Sequence, residues 1–491
     1  MASTFFGLTI STSGLFTANA GLTTTAHNIA NENTKGYSRQ EANQEATSAI
    51  RVYQSYGMVG SGVTLTSVKQ VRDSYYDVKF WNNSAAKGEQ SIKNTYNRQI
   101  EDYFNEMDVD GFTTEYENLF NSLKELQGSP DDVTLRLEVL NYAQSFADYF
   151  NDIGTKLDSL QQECNTEVSN KVDEVNTLCD QIASTTKQIA TVELTGAYAN
   201  DLRDQRALLV DSLSKIVPVT VREEMNANNQ LDYSVKVDGF TLVDNFTTHG
   251  LKVISRENRV HDTDAVGLYD IYYNYDERSM TGTKFDVQGM DLKGELRGIL
   301  DVRDGDNGEN INYKGIPHYF KRINDFNQAF ADLFNNIHHE GYNLYGDKAE
   351  NIDLYTITPN GKLMVNEALI KDPKLMATSD SPIHDGVGNA GIVESWIKLQ
   401  DKTVLQNASA TEYLQSIVSE IAVSTKKAST MLANYENIET SIKNQRLSVS
   451  GVDSDEEAMN LVKYREAYQL AAKMIQTMSE LFDKLINQTG V

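Results

Sequence analysis

Apolar residues recur in alternating steps of three and four near the end of the chain. This is the spacing of a coiled-coil seam and predicts a long helix. The stripe comprises Leu461, Tyr464, Tyr468, Ala471, Ile475, Met478, Phe482 and Leu485. Ser454 precedes Glu457 by three positions, a capping-box spacing that predicts the helix start. An ordinary amphipathic core helix remains an alternative, because a seam of this length does not require a free-standing coiled coil.

The beginning of the chain shows the same period with weaker apolar residues. Its stripe comprises Phe5, Leu8, Thr12, Leu15, Asn19, Leu22, Ala26 and Ile29. The segment is rich in Ser, Thr, Gly and Asn, which are poor helix formers, so it needs a partner helix to become ordered. A weak stripe at one end and a strong one at the other predict that the two ends pack together.

Three stretches inside these ends predict further long helices. Residues 133–195 carry apolar residues at helical spacing, and residues 392–447 contain neither Gly nor Pro. Residues 316–340 carry a third stripe, with Pro317 in the first turn, where proline is tolerated.

The period changes to two between residues 218 and 300, which predicts strands. Tyr233, Val235 and Val237 alternate with polar residues, and Asp238-Gly239 supplies a hairpin turn. Residues 345–391 have the composition of short strands and turns.

The predicted fold is therefore mainly α with a β insertion. It is a long-helix bundle or coiled coil formed by both chain ends, plus a protruding mainly-β domain. We expect residues 1–60 plus 450–491 to form the terminal coiled coil and residues 61–217 plus 292–449 a discontinuous long-helix domain. Residues 218–291 form the β insertion in this division.

Composition narrows the class of protein. The 491 residues have a formal net charge of −26, and this acidity argues against nucleic acid as a partner. No apolar stretch is long enough to cross a membrane. No Lys or Arg precedes Lys35, so the chain lacks the charged start of a cleaved secretory signal, which predicts a cytoplasmic protein or one exported without cleavage.

Candidate chemical motifs are few, and each has a plainer structural interpretation. Glu106–Glu117 approaches a calcium loop, although its first ligand is Glu and the alternative is a turn before a helix that starts near Thr113 or Thr114. His338-His339-Glu340 lacks the i, i+4 spacing of a zinc site and suits a helix end before Gly341. Cys164 and Cys179 are expected to be buried apolar residues rather than a disulfide. We expect no catalytic residue, no metal and no cofactor.

A specific pattern occupies residues 22–39, LTTTAHNIANENTKGYSR. It resembles a signature near the N-terminus of bacterial flagellar rod, hook and hook-associated proteins. The matching residues are Asn28, Ile29, Ala30, Asn31, Thr34, Gly36 and Tyr37. Similar stretches at 100–136, 294–304, 336–341 and 451–468 narrow the resemblance to the hook-associated protein 1 family, the first of two junction proteins between hook and filament.

The resemblance implies a non-enzymatic, self-assembling protein that leaves the cytoplasm through the flagellar type III export apparatus. Its implied partners are copies of itself in a ring, the hook protein below, the second junction protein above and a small export chaperone on the C-terminal helix. The implied location is the hook–filament junction of the flagellum. The stripes at both ends are the expected assembly and chaperone surfaces.

We further expect both stripes to stay under-buried in an isolated chain and to pair only in a growing flagellum. A hook or rod axial protein of the same family is an alternative. A calcium-binding adhesion or sensor protein using Glu106–Glu117 is an alternative of another class, and an enzyme carried in the β insertion has no support from its residues.

Overall fold

Long helices dominate the computed structural model, which describes residues 6–51, 57–105, 111–225, 231–305, 313–358, 361–382, 388–405 and 408–487. Its longer helices are α1 (Phe6–Asn31), α2 (Ser74–Asn105), α3 (Phe112–Gly128), α4 (Val133–Glu193), α5 (Asn200–Ile216), α6 (Glu295–Asp304), α7 (Ile316–Glu340), α10 (Ala410–Ser450) and α11 (Ser454–Asn487). The short helices α8 (Glu367–Lys371) and α9 (Gly391–Ile397) lie between α7 and α10. The mainly α fold class with a β-containing middle is confirmed.

The chain divides into two compact units. The first unit comprises Met1–Ala85, Glu174–Gly250 and Tyr435–Val491, and the second comprises Ala86–Asp173 and Leu251–Asn434. The predicted domain boundaries stay a prediction, but the strands expected in one β insertion are shared between these units.

Three antiparallel sheets belong to the first unit. β1 (Gln40–Ala46) pairs with β4 (Val63–Gln70), and β2 (Ile50–Arg51) pairs with β3 (Met58–Val59). The third sheet has the order β5-β6-β7-β8, from β5 (Thr220–Met225), β6 (Leu231–Val237), β7 (Phe240–Asp244) and β8 (Thr247–Thr248). Asp238 and Gly239 both have positive φ, 44° and 89°, as the predicted two-residue hairpin turn requires.

The second unit has an aromatic core between its helices. Its sheets are β9 (Leu251–Ser255), β10 (Tyr269–Asp276) and β11 (Thr281–Lys284), and the pair β12 (Tyr355–Ile357) and β13 (Leu363–Val365). The ring of Phe330 on α7 packs at 4.7 Å from that of Phe146 on α4 and at 4.6 Å from that of Phe334, measured between ring centroids, with the rings tilted. The apolar stripes predicted for α4 and α7 are buried, which confirms both helices.

One helix is shorter than its sequence predicts. The run 392–447 is interrupted, because α9 ends at Ile397, a 3₁₀ turn follows at Lys398–Asp401, and α10 begins only at Ala410. Ser409 and Glu412 cap this new start: Glu412 accepts from the backbone N–H of Ser409, and the Ser409 hydroxyl accepts from the N–H of Glu412. A local capping box therefore begins a helix within a stretch that has no Gly or Pro.

Candidate functional site

The two ends of the chain form an antiparallel helix pair in the first unit, which we call the terminal pair, α1 with α11. Three glycines on α1 mark the contact: Gly7 lies against Met478, Gly14 against Ala471 and Gly21 against Tyr464. A Cβ atom on Gly21 would lie 2.6 Å from the Tyr464 ring, and one on Gly7 would lie 2.6 Å from Met478 Cε. The helices approach this closely because the glycines have no side chain.

The face of α1 that carries these glycines consists of small or polar residues. At helical spacing it runs Gly7, Ser11, Gly14, Ala18, Gly21, Thr25 and Asn28, in alternating steps of four and three. Ala18, Thr25 and Asn28 are buried, with 4%, 3% and 1% of their surface exposed. This face is thus a heptad seam built from small residues.

The predicted seam on α1 needs correction. Leu8, Leu15 and Leu22 each follow one of the three glycines, so they lie beside the line of contact and are half-buried, while Ile29 is exposed. Phe5 lies outside the described residues. The prediction used only large apolar side chains, so it placed the seam at the leucines, one residue after the glycines that make the contact.

On α11 the predicted stripe agrees better with the structure. Leu461, Tyr464, Ala471, Ile475, Met478 and Phe482 are half-buried, whereas Tyr468 and Leu485 are exposed. The predicted capping box is wrong, because the side chain of Asp453 caps the helix by accepting from the N–H groups of Asp455 and Glu456. Glu457 is free for a different contact, described below.

The structure also differs from the expectation that both stripes stay under-buried until neighbours arrive. In a single chain α1 already packs along α11. The physical reason is the complementarity of a glycine seam to Tyr464 and Met478, which lets a weak helix bury its face within its own molecule.

Tyr37 and Asn28 of the resemblance signature form the base of the terminal pair. The Tyr37 hydroxyl donates to Asn28 Oδ1 over 2.7 Å, and the backbone N–H of Gln40 donates to the same oxygen over 2.9 Å. Asn28 Nδ2 donates back to the Gln40 carbonyl over 2.9 Å. Burial, together with the negative charges of Asp201, Asp204 and Glu457, raises the pKa of Tyr37, so its hydroxyl stays a donor.

The other signature residues shape the reversal after α1. Thr34 N–H donates to the Asn31 carbonyl over 2.9 Å, and Tyr37 N–H donates to the Thr34 carbonyl over 3.1 Å. Gly36 has a φ of +82°, and a Cβ atom there would lie 2.5 Å from Leu208 Cγ, so only glycine fits. Ile29 and Ala30, by contrast, are exposed.

Ser38 and Arg39 tie the same segment to two more helices, which the sequence did not predict. Ser38 donates from its N–H and its hydroxyl to Asp204 of α5, over 2.8 and 2.7 Å. Arg39 Nε donates to Glu457 Oε1 of α11 over 2.8 Å, and its second amino group donates to Glu456 over 2.9 Å. The only sign of these contacts in the sequence is the spacing of two residues. Asn28 lies seven residues after Gly21, and Glu457 lies seven residues before Tyr464.

Burial and the neighbouring polar groups have opposing effects on the pKa values of Arg39 and Asp204. Partial burial disfavours the charge of Arg39, but its hydrogen bond to Glu457 and the nearby Glu456 raise its pKa overall. For Asp204, burial is the largest effect and raises the pKa of its carboxyl, although Ser38 and Arg72 oppose the shift.

An ion-pair chain extends the base through the first unit. Arg72 binds Asp77 over 2.7 Å and lies 3.6 Å from Asp204. Arg446 of α10 binds Asp77 over 2.8 Å and Asp211 of α5 over 2.7 Å. The two arginines thus connect three buried or half-buried carboxylates on two helices, α2 and α5.

The candidate chemical motifs take structural roles where they are described. His338 is fully buried at the end of α7, its Nδ1 is 2.7 Å from the Ile352 carbonyl, and its Nε2 accepts from the Ala377 N–H. Burial lowers the pKa of His338 to about 4. Cys164 and Cys179 are buried free thiols, as expected. Among the described residues no group of three or more His, Cys, Asp or Glu side chains could hold a metal ion.

The predicted calcium loop falls mostly outside the part of the chain that can be described. Glu106–Asp110 lie outside the described residues, and α3 begins at Phe112 with Glu117 exposed in its early turns. No described helix is long and apolar enough to span a membrane.

Comparisons with known proteins agree with the signature. A sequence profile described as the flagellar hook-associated protein FlgK helical domain matches residues 97–353, and one described as the flagellar basal body rod FlgEFG protein C-terminal matches residues 443–488. The chain is similar to flagellar hook-associated protein 1 of Bacillus subtilis, with 28% identity over all of this chain and 99% of the relative. It is 24% identical to the Escherichia coli protein of the same name, over 97% of this chain and 98% of that one.

A solved structure is also similar in part. The flagellar hook junction protein FlgK from Burkholderia pseudomallei aligns with a TM-score of 0.45 and 21% identity, over 57% of this chain and 47% of that chain. The first profile covers more than half of the 491 residues, and the relatives align from end to end. This chain therefore belongs to the family of the flagellar hook-associated protein FlgK.

Proposed function

We propose that this chain is a structural, self-assembling subunit of the bacterial flagellum that forms the junction layer between hook and filament. It leaves the cell through the flagellar type III export apparatus, after a small chaperone has held its C-terminal helix in the cytoplasm. Its partners in the flagellum are copies of itself in a ring, the hook protein below and the second junction protein above.

One observation carries this proposal: the terminal pair buries one side of α11 and leaves a second apolar side exposed. We call this side the outer face, formed by Met459, Leu470, Met474 and Leu481, which are 68%, 66%, 49% and 55% exposed. These four positions share one side of the helix, at spacings of eleven, four and seven. Contiguous exposed apolar residues of this length are typical of a protein interface.

The seam of α1 consists of small and polar residues that already contact α11. This supports an intermolecular role for the outer face of α11 rather than for the seam of α1. Because the seam is occupied, the terminal pair offers a neighbouring copy the outer face of α11 together with the exposed Phe16 of α1. Repeated contacts of one kind between identical subunits generate a ring or a helical tube, as a junction layer in a filament requires.

Complementation of a gene deletion tests the proposal. Cells that lack the gene should release unpolymerised filament protein into the medium and fail to swim. The variant Leu470→Asp with Leu481→Asp should be exported into the medium but not assembled, because charges on the outer face oppose burial against a neighbour. Its isolated chain should keep the wild-type helical content, since both side chains are exposed.

A matched control adds the same two charges elsewhere on α11. Gln469→Asp with Ser479→Asp changes exposed polar residues and should restore swimming. The assembly role is refuted if the outer-face variant restores filaments as well as the control does. Retention of the outer-face variant inside the cell would instead assign this face to export.

A further inference from the structure

The contact between α1 and α11 repeats every seven residues on both helices. Gly7, Gly14 and Gly21 are seven apart, and so are the residues that they contact, Tyr464, Ala471 and Met478. A slip of the pair by seven residues, about 10 Å of rise, would place Gly14 opposite Tyr464 and Gly7 opposite Ala471. Tyr464 and Ala471 would each again meet a glycine, while Met478 would have no residue of α1 opposite it, so steric fit along the rest of the seam allows this second register.

The base of the pair breaks this repeat. The next heptad positions are Asn28 on α1 and Glu457 on α11, which are polar and buried, with 1% and 2% of their surface exposed. Both are held by one short segment: Tyr37 and Gln40 bind Asn28, and Arg39 binds Glu457. Arg39 also donates its backbone N–H to the carbonyl of Ser450, the last residue of α10, over 2.8 Å.

We propose that the register of the terminal pair is set at its base, by Asn28 and by the Arg39–Glu457 ion pair, and that the glycine seam by itself permits a seven-residue slip. Arg39 is a positioning residue in this proposal. A slipped pair would separate these polar groups and leave the Glu457 carboxylate without its guanidinium, which is costly for a buried charge. A single buried polar contact specifies coiled-coil register in the same way. The inference rests on the contacts within one chain and does not depend on the proposed function.

Disulfide trapping can read the register directly. A Cβ atom on Gly14 would lie 4.0 Å from the Ala471 Cβ, within the range for a disulfide. Gly14→Cys with Ala471→Cys therefore reports the native register. Gly7→Cys with Ala471→Cys reports the slipped register. In the native pair these two positions are offset along the helices by seven residues, about 10 Å, which is too far for a disulfide.

The native thiols give little background in this experiment. Cys164 and Cys179 are buried, and burial raises the pKa of Cys179 to about 12 and that of Cys164 still further. Oxidation is carried out on the full-length chain at low concentration, and the crosslinked peptides are identified by mass spectrometry. The tip of the Met478 side chain, which lies next to Gly7, is flexible and can move aside for the introduced cysteine.

With Arg39 present, we expect the native pair of cysteines to crosslink at least tenfold faster than the slipped pair. In the Arg39→Ala background the crosslinking rate of the cysteine pair that reports the slipped register should rise at least tenfold. Arg39→Lys keeps the cation, so its two crosslinking rates should stay as they are with Arg39. Lys35→Ala is the control, because it removes an exposed cation from the same segment.

Two results would overturn the proposal. Unchanged crosslinking rates in the Arg39→Ala chain would mean that the Arg39–Glu457 ion pair does not set the register. Loss of both crosslinks together, in Arg39→Ala and also in Glu457→Gln, would mean that the ion pair supports folding of the helices rather than their register.

Discussion

Arg39 and Glu457 lie 418 positions apart in the chain and form an ion pair of 2.8 Å at the base of the terminal pair. Glu457 is buried, with a side chain only 2% exposed, while the second carboxylate that binds Arg39, Glu456, is 51% exposed. One guanidinium thus holds one buried and one exposed carboxylate, and the two contacts should differ in strength.

We predict that Arg39→Ala lowers the free energy of unfolding of the first unit by about 3 kcal/mol, because it leaves the buried Glu457 carboxylate without its partner. Glu456→Ala should cost below about 1 kcal/mol, as is usual for an exposed pair. The measurement is urea-induced unfolding followed by the fluorescence of Trp81, one of the two tryptophans of the chain and the one in this unit. Equal losses for the two variants would contradict the assignment.

The glycine seam makes a prediction that contrasts two similar substitutions. Gly21→Ala should destabilise the terminal pair by about 1–3 kcal/mol, since its Cβ would lie 2.6 Å from the Tyr464 ring and 2.8 Å from its Cγ, which cannot swing away. Gly14→Ala should be neutral or stabilising by up to about 1 kcal/mol, because its Cβ would meet only the Ala471 Cβ at 4.0 Å and alanine favours the helix.

Hydrogen exchange of α1 peptides measures both effects. Protection of α1 should fall in Gly21→Ala and hold or rise in Gly14→Ala. The same loss of protection in both variants would show that the glycines act through backbone flexibility and not through close approach to α11.

The signature yields a third prediction, on how much each of its residues contributes to the stability of the folded chain. Asn28→Ala removes one hydrogen bond from the Tyr37 hydroxyl and two with the Gln40 backbone, so it should cost about 2–4 kcal/mol. Tyr37→Phe removes only the hydroxyl and should cost about 1 kcal/mol. Ala30→Ser, at an exposed signature position, is the control and should change the midpoint of urea unfolding little. A cost for Tyr37→Phe equal to that of Asn28→Ala would place the main contact on the tyrosine.

The sequence predicted the long helices well and the site only in part, and both outcomes have physical reasons. Helices α4, α7 and α11 carry large apolar residues at helical spacing, which is a strong local signal. The seam of α1 carries glycine, alanine and serine, which a search for apolar side chains does not register. The strict seven-residue spacing of Gly7, Gly14 and Gly21 was the signal that could have identified it.

Long-range polar contacts were beyond sequence reasoning. The resemblance located Asn28 and Tyr37, but nothing in the pattern pairs Ser38 with Asp204, 166 positions away. Such pairs depend on which helices meet at the base, and the two-residue period between 218 and 300 likewise predicts strands without saying which sheet each strand joins.

Buried His338 provides the fourth prediction, for the pH dependence of the second unit. Its ring stacks on Trp396 with 5.9 Å between ring centroids, and its Nε2 accepts from the Ala377 N–H, so the neutral form with the proton on Nδ1 is the one that fits. Burial lowers the pKa of His338 from 6.5 to about 4 in the folded chain. The unfolded chain therefore binds a proton more readily, and stability that is complete above about pH 6.5 is lost as the pH falls towards 4.

The expected loss over this window is about 3 kcal/mol, at about 1.4 kcal/mol for each pKa unit. Urea midpoints measured between pH 7 and pH 4 by Trp396 fluorescence, in a Trp81→Phe chain that keeps no other tryptophan, report it for the second unit. His338→Gln should lower stability at pH 7 but flatten the dependence on pH, because the residue that takes up the proton on unfolding is gone. A slope that survives in His338→Gln would assign the acid sensitivity to other titratable groups and not to His338.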